Sequence, residues 1–157
     1  MTIKFPSIRK FRISDLTGFH PLVRPIVTSL ASKTFVSRFE VLSDHTVRSL
    51  LQLHPIHVVE DNNKLFVIAG FRSYQLSISR IDDEKFPICF YREGLDESFI
   101  LDLANVDILA SPLIHSLGTK SAAQIEQIKS EIGQDNADLI APGLKSTRAI
   151  SRFEKLS

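Results

Sequence analysis

The chain has 157 residues, of which 43% are hydrophobic and 24% are charged. These are ordinary values for a globular protein, and a chain of this length can bury about two thirds of its unfolded surface without disulfides or metals. No apolar run approaches the roughly twenty residues that a membrane span requires, so we expect no membrane partner. The chain reaches Pro6 before any apolar stretch forms, and we therefore expect no secretory signal peptide and a cytoplasmic location.

Lysine and arginine total 19 against 18 aspartates and glutamates, and the net charge of +1 provides no overall field that would attract nucleic acid. DNA binding would therefore need a local basic patch. Lys145, Arg148 and Arg152 are the candidates, because their spacing puts them on one face of a helix. The interpretation that we prefer is simpler, namely a solvated helix face whose positive charges favour the helix C-terminus.

The first part of the chain contains one alternating segment and one long connection. Phe11–Ser14 alternates apolar and polar residues, which predicts a short half-buried strand, and Asp15 follows as a turn former. Residues 15–40 are predicted to form an insertion, or a lid over a later turn at Gly70. One short helix is expected near Pro21, on the apolar set Leu22, Val23, Ile26, Val27 and Leu30.

The middle of the chain has clearer signals. Ser43 can cap a helix that Pro55 ends. Residues 55–60 and 64–69 are two β-rich runs around Asp61–Asn63, which predicts a hairpin with a tight turn.

Three further elements follow the hairpin. Gly70 breaks the second strand, and a helix is expected over residues 71–79, then a strand at 86–91 and a helix that opens at Asp96. The element order predicts an α+β fold. The apolar positions expected on the two helices are Phe71, Tyr74, Leu76 and Ile78 in the first, and Phe99, Ile100, Leu103 and Val106 in the second.

The C-terminal part has helical spacing throughout. Residues 121–132, 137–140 and 147–156 predict three helices around Pro142–Gly143. We therefore divide the chain into a first domain at residues 1–117 and an all-helical segment at 118–157. This segment has roughly the layout of a helix-turn-helix motif, and a helical cap packed on the sheet is an equally good interpretation.

Several segments between Leu42 and Leu113 resemble the N-terminal domain of the ParB family. That family has a Pro-Ile-Val strand, a second strand that ends in a Gly-Glu-Arg-Arg box, and a third strand near an Ile-Pro pair. Here the corresponding segments are Pro55-Ile-His-Val-Val, Phe66–Ser73 and Phe86-Pro-Ile. The segment Leu101–Pro112 is similar to the family's Leu-Ile-Glu-Asn-Leu-Gln-Arg, with Asn105 at the family's asparagine. The resemblance implies the small mixed sheet with helices of the ParB/sulfiredoxin superfamily.

The glycine of the box has a physical role that does not depend on the family. It lets the backbone turn sharply at the strand end, and the following helix directs its free N–H groups and positive dipole end outward. Arg72 in the first turn could then hold a phosphate through two hydrogen bonds. The alternative is that Gly70 is only a turn and that Arg72 pairs with Asp82 or Asp83. The candidate phosphate- or nucleotide-binding residues are Gly70, Phe71, Arg72, Ser73, Gln75 and Asn105.

The resemblance also implies a relic of the family's pocket for CTP and a divalent metal such as Mg²⁺. Four positions depart from the family pattern. Phe71 replaces the glutamate of the box and Ser73 its second arginine, while Ala104 and Ile108 replace a glutamate and an arginine near Asn105. These changes remove most of the charge that would hold a metal and a triphosphate, so we expect weak CTP turnover or none and assign no metal ligand.

The sulfiredoxins of the same superfamily use a cysteine in this turn, where the present chain has Phe71. The single cysteine, Cys89, lies in an apolar strand and is expected to be buried and inert. His54 and His57 would point to opposite sides of a strand and are expected to be structural.

Three functions are compatible with these observations. The first, which we prefer, is a ParB-like binding module with a degenerate phosphate pocket. We expect it to be linked to DNA in partition, regulation or mobile-element biology, and to bind a protein partner or a second copy. The second is a CTPase-like or nuclease-like enzyme in which Arg72 holds phosphate, Asn105 holds metal or base, and Ser73 or Gln75 assists. The third is a structural or regulatory partner protein that has lost ligand binding.

Overall fold

The computed structural model describes residues 5–28, 39–82 and 87–110, together with positions 126, 129, 130, 134, 135, 138, 142 and 146. The strands of the described part are β1 (Ser7–Lys10), β2 (Leu16–Phe19), β3 (Ile56–Asp61), β4 (Lys64–Ala69) and β5 (Ile88–Arg92). Its α-helices with defined bounds are α1 (Asp44–Leu53), α2 (Phe71–Arg80) and α3 (Glu97–Asn105), and α3 continues into a π-helix at Val106–Ala110. Short 3-10 helices lie at Ile13–Asp15 and Phe39–Val41, and residues 24–28 are helical. This is the predicted α+β class.

The described strands form one five-stranded mixed sheet in the order β1-β5-β3-β4-β2. Strands β3 and β4 are the predicted antiparallel hairpin, and their turn residues Asn62 and Asn63 have φ angles of 49° and 59°. Strand β5 runs parallel to β3, and β2 runs parallel to β4. Strand β1 pairs antiparallel with β5 at one edge, and all four of its residues are exposed.

The centre of the sheet carries the main core. Val58 of β3 together with Val67 and Ile68 of β4 are completely buried, and Ile100 of α3 packs into the same cluster. A smaller cluster joins α1 to α2 through Val47, Leu51 and Leu76. Burial of each such side chain contributes about 1.5–3 kcal/mol, so the β3–β4 hairpin is the best-anchored part of the described fold.

The starts of α1 and α3 are fixed by the side chains that the sequence indicates. The Ser43 hydroxyl accepts a hydrogen bond from the Thr46 N–H (3.2 Å), and the Asp96 carboxylate accepts one from the Phe99 N–H (2.8 Å). The bond from Phe99 also lowers the pKa of Asp96, because it favours the charged carboxylate. Both helix starts are therefore confirmed as predicted.

The prediction of a strand at Phe11–Ser14 is wrong. The chain is extended earlier, at Ser7–Lys10, and then turns into the 3-10 helix at Ile13–Asp15. The Arg12 N–H donates to the Asp15 carboxylate (2.9 Å), and the Asp15 N–H donates to the Arg12 carbonyl oxygen (3.1 Å). These two bonds close a tight turn that the apolar alternation does not reveal.

The connection predicted for residues 15–40 contains more regular structure than expected. Strand β2 was not predicted, and it adds a parallel edge to β4. The helix expected near Pro21 is present at residues 24–28, with Val23 and Val27 completely buried. Residues 29–38 lie outside the described residues, so the lid over Gly70 stays a prediction.

The expected apolar faces of α2 and α3 need one correction each. Ile78 is 56% exposed, because the buried side of α2 is centred on the small polar residues Ser73 and Ser77. Val106 is 59% exposed, because the chain passes into the wider π-helix after Asn105. Ile108 is buried instead.

The C-terminal segment is described only at isolated positions. Residues 126, 129, 130, 134, 135 and 138 are helical, and the rest of the three predicted helices lie outside the described residues. The same holds for Lys145, Arg148 and Arg152, so the domain division, the helix-turn-helix layout and the basic patch stay predictions. Within the described ranges, no helix is long and apolar enough to cross a bilayer.

Candidate functional site

Gly70 forms the corner where β4 ends and α2 begins. Its backbone is left-handed, with φ 73° and ψ 36°, and its carbonyl oxygen accepts a hydrogen bond from the Tyr74 N–H (2.9 Å). A Cβ atom at this position would lie 2.7 Å from the Pro55 carbonyl oxygen and 3.0 Å from the Ile56 Cα. Both the conformation and the contact with the backbone of residues 55–56 therefore require glycine.

A carboxylate from a distant part of the chain occupies the start of α2. Asp107 Oδ2 accepts hydrogen bonds from the Gly70 N–H (2.9 Å) and from the Phe71 N–H (3.0 Å). Free N–H groups at a helix N-terminus, together with the positive end of the helix dipole, favour an anion at this position. An oxyanion thus already lies where the sequence predicts a phosphate.

Asp107 was not among the candidate site residues. Its one local signal is that it is the single charged residue of the apolar run Val106–Ala110. The two N–H groups that it binds are 37 and 36 positions away along the chain. No periodicity or spacing relates positions so far apart, so the pairing could not be read from one sequence.

Phe71 contributes only its backbone to this corner. Its side chain is completely buried in the main core, and its ring meets that of Phe19 edge-on at 5.6 Å between centroids. The position at which the ParB box carries a glutamate is therefore used here for packing. The side chain of Phe71 is therefore not part of the exposed surface of the corner.

Ser73 also has a structural contact. Its buried hydroxyl donates to the His54 carbonyl oxygen at 2.6 Å, which ties the first turn of α2 to the end of α1. The proton of this hydroxyl is committed to the carbonyl, so Ser73 could only accept a further hydrogen bond, and its assistance at the turn stays a prediction. The role of Ser73 at the site is to hold the helix start in place.

The remaining predicted site residues lie around the corner. Arg72 is half-buried in the first turn of α2 and takes part in at least one polar, ionic or ring contact. Gln75 is half-buried one turn further along. Asn105 is exposed at the end of α3, two positions before Asp107. The structure thus brings the end of α3 to the Gly70 corner, and ligand contacts by these three residues stay predictions.

The two histidines of the first strand region have separate surroundings. His54 lies at the C-terminal end of α1. His57 Nδ1 accepts a hydrogen bond from Arg92 Nε (3.3 Å), and burial, followed by the charge of Arg92, lowers the pKa of His57 to about 4. His57 is therefore a neutral acceptor near pH 7. In the described part of the chain, no group of three or more histidines, cysteines or acids could hold a metal ion.

Cys89 is buried, as the sequence predicts. Its thiol is completely buried in β5, and burial raises its pKa to about 12. The nucleophilic form of cysteine is the thiolate, which is scarcely populated near pH 7 with such a pKa. The sulfiredoxin type of chemistry therefore has no nucleophile at this cysteine.

No family model matches the chain, and no curated protein matches it. Among solved structures, the chain is similar to the C-terminally truncated chromosome-partitioning protein ParB from Caulobacter crescentus complexed with CTP-gamma-S. The TM-score is 0.55 at 14% sequence identity, over 95% of this chain and 77% of that chain. A likeness at this identity shows the fold. The chain therefore has a ParB-like fold, as the short segments of the sequence imply.

Proposed function

We propose that the protein is a ParB-like binding module that holds a phosphate group of a nucleotide at the Gly70 corner. One observation carries the proposal: the N–H groups of Gly70 and Phe71 converge on a single oxyanion, Asp107 Oδ2, at 2.9 and 3.0 Å. A phosphate oxygen requires the same donors, and helix N-termini commonly supply them. CTP is the nucleotide of choice, because the structurally similar ParB is complexed with an analogue of it.

Each site residue has a distinct part in this proposal. Gly70 and Phe71 donate backbone N–H groups to one phosphate, and the guanidinium of Arg72 binds a second phosphate oxygen pair. Asn105, exposed at the end of α3, offers an amide to the base or ribose. Gln75 is a further hydrogen-bonding candidate on α2, and Ser73 holds the helix start through its bond to His54.

The described residues do not fit a resident Mg²⁺ ion. They contain no group of three histidines, cysteines or acids that could hold it. Hydrolysis of a nucleotide would need such acidic ligands or a general base close to the phosphates. The proposal is therefore binding without turnover.

DNA and a second copy of the chain are the proposed macromolecular partners. The support is the likeness to a chromosome-partitioning protein, which also makes the cytoplasm the proposed location. Lys145, Arg148 and Arg152 are the candidate phosphate contacts on DNA. Their joint replacement by alanine should weaken binding of a fluorescent duplex and reduce its dependence on salt concentration. Unchanged anisotropy curves would remove DNA from the proposal.

Nuclear magnetic resonance titration tests the phosphate site, because it detects binding even in the millimolar range. Addition of CTP to the 15N-labelled protein should shift the amide signals of Gly70 and Phe71 in a saturable way. Arg72→Ala should weaken this binding about tenfold or more, since hydrogen bonds to charged groups contribute about 1.5–3 kcal/mol. Arg48→Ala is the matched control, because Arg48 is an exposed arginine of α1.

Three outcomes decide this test. Shifts at the Gly70 corner that Arg72→Ala weakens and Arg48→Ala leaves unchanged support the proposal. Shifts elsewhere with an undisturbed corner would move the site. No shift with CTP, UTP, ATP or pyrophosphate would leave a ParB-like scaffold that binds no phosphate.

A further inference from the structure

We propose that Asp107 regulates the phosphate site as a built-in competitor, which must leave the Gly70 corner before a phosphate can bind. This inference rests on the proposed function, since it concerns the same N–H groups. The observation behind it is that one carboxylate oxygen takes both donors at 2.9 and 3.0 Å. Nucleotide binding would then be coupled to a rearrangement of the π-helix Val106–Ala110, which carries Asp107.

The corner itself cannot be the part that moves. The backbone of Gly70 packs so closely on Pro55 that even a Cβ atom would lie 2.7 Å from the Pro55 carbonyl oxygen. The side chain of Phe71 is completely buried in the core, and the hydroxyl of Ser73 is bonded to the His54 carbonyl oxygen at 2.6 Å. These contacts fix the direction of the two N–H groups, whichever anion they bind.

The surroundings of Asp107 allow more movement. Asn105 and Val106, the two residues before it, are exposed, and the backbone around it is π-helical. Single π-helical turns are rare and are often found at functional positions. Ile108 is buried and anchors the segment. The expected movement is therefore a swing of Asp107 about this anchor, without detachment of the segment.

Competition follows from the number of donors and from charge. The two N–H groups that bind Asp107 are the ones that the proposed phosphate needs, so the two anions cannot share them. A phosphate beside an unmoved carboxylate would also meet like charge in a partly buried place. Asp107 therefore lowers the affinity of the corner for every phosphate ligand. The π-helix that holds Asp107 in place determines how much this affinity is lowered.

The test measures the affinity of the full chain for CTP and for inorganic pyrophosphate by calorimetry. Asp107→Ala should tighten the binding of both about tenfold or more, because the competitor is gone. Asp107→Asn keeps an oxygen that can accept from both N–H groups but loses the charge, so its affinity should fall between the other two. Asp102→Ala, which removes an exposed carboxylate from α3, should leave both affinities within about twofold of the unmodified protein.

A second measurement follows the contact itself. Adding CTP to the unmodified protein should shift the side-chain carboxylate signal of Asp107 while that of Asp102 stays in place. Asp107→Asn retains the acceptor at the helix start, and it keeps the test decisive if Asp107→Ala does not fold.

The failures of the two proposals differ. If the unmodified protein binds CTP and the Asp107 variants bind equally or more weakly, Asp107 is not a competitor, and the phosphate site stands. If neither the unmodified protein nor the Asp107 variants bind any phosphate, the site and its regulation are both overturned. Tighter binding by Asp107→Ala and an equal gain in Asp102→Ala would show a general charge effect and would also overturn the inference.

Discussion

Strand β4 has a turn at each end, and the two turns are held in different ways. At its start, Asn62 and Asn63 adopt left-handed backbone angles in a solvent-exposed hairpin turn, and the Asn62 amide bonds its neighbour Asp61 at 3.1 Å. At its end, Gly70 is held by Pro55 and by Asp107, both distant in sequence. The first turn is determined locally, and the second depends on the assembled fold. Substitutions at the Gly70 turn should therefore lower the free energy of unfolding much more than substitutions at the Asn62–Asn63 turn.

The largest difference is expected between two glycines with similar φ angles, 73° at Gly70 and 63° at Gly94. Gly70→Ala should lower the free energy of unfolding by about 3 kcal/mol, because the left-handed conformation costs 1–2 kcal/mol and the new Cβ would press on the Pro55 carbonyl oxygen. Gly94→Ala should cost only about 1 kcal/mol, because nothing lies within 4 Å of its Cβ position. Urea denaturation measures the free energy of unfolding of both variants. Equal losses would contradict the prediction, because they would show that the backbone at the Gly70 corner can shift to accommodate a Cβ atom.

The histidines near the two ends of the hairpin should respond differently to acid. His57, paired with Ala69 beside the corner, has its pKa lowered to about 4 by burial and by Arg92. Between pH 6.5 and 4 the unfolded chain binds a proton there that the folded protein does not. The free energy of unfolding should therefore fall by about 3 kcal/mol as pH decreases through this window, and the His57 contribution should vanish above about pH 7.

Two variants isolate that loss. His57→Gln should remove it, and the difference between the two pH profiles is the quantity to measure. His20, which follows β2 and lies 3.8 Å from the Asp61 carboxylate beside the hairpin turn, also has a pKa lowered by burial, but Asp61 and Glu97 oppose the shift. His20→Gln should therefore change the profile less. Parallel profiles for the unmodified protein and His57→Gln would contradict the prediction.

Ser73→Ala should have an intermediate effect of about 1 kcal/mol. It removes the hydroxyl that bonds the His54 carbonyl oxygen at 2.6 Å in a part-buried place. Ser49→Ala removes a similar bond to the His45 carbonyl oxygen within α1 (3.1 Å), but this one is exposed. That change should be neutral or slightly stabilising, because alanine favours the helix. Thermal unfolding measures both variants. A larger loss of stability in Ser49→Ala than in Ser73→Ala would contradict the prediction.

The smallest effect is expected at the hairpin turn and has the opposite sign. Asn63→Gly should stabilise the protein by about 0.5 kcal/mol, because Asn-Gly is the preferred pair for a two-residue turn with both φ angles positive. Asn62→Gly should gain less, because it also removes the bond to Asp61. Denaturation midpoints distinguish the two, and a loss of stability in Asn63→Gly would show that its side chain has an unrecognised partner.

These two turns also mark what one sequence could predict. The hairpin, α1 and the starts of α1 and α3 were predicted correctly, because Ser43, Asp96 and the Asn62–Asn63 pair act on their immediate neighbours. Gly70 was recognised as a turn for the same reason. The resemblance of short segments then gave the ParB-like fold.

The errors arise where the deciding partner is distant or the residue type misleads. Asp107 was missed because its donors are 37 and 36 positions away. Ile78 was wrongly placed on the buried face of α2, because Ser73 and Ser77 count as polar in a pattern, yet their hydroxyls bond backbone carbonyls at 2.6 and 2.8 Å and are buried. Strand β2 was missed because its Gly18 and the following prolines indicate a loop, whereas pairing with β4 decides its conformation.

The two outer strands have a consequence for how copies of this protein meet at high concentration. An open sheet edge offers unpaired N–H and C=O groups to any other strand and is a common start of aggregation. Strand β1 carries Arg9 and Lys10 at one edge, so two such edges would bring like charges together. Strand β2 has an irregular register between Leu16 and Gly18 at the other edge, which interrupts the regular row of donors and acceptors. Among the described residues the sheet ends at five strands, and both of its outer strands carry features that disfavour pairing between copies.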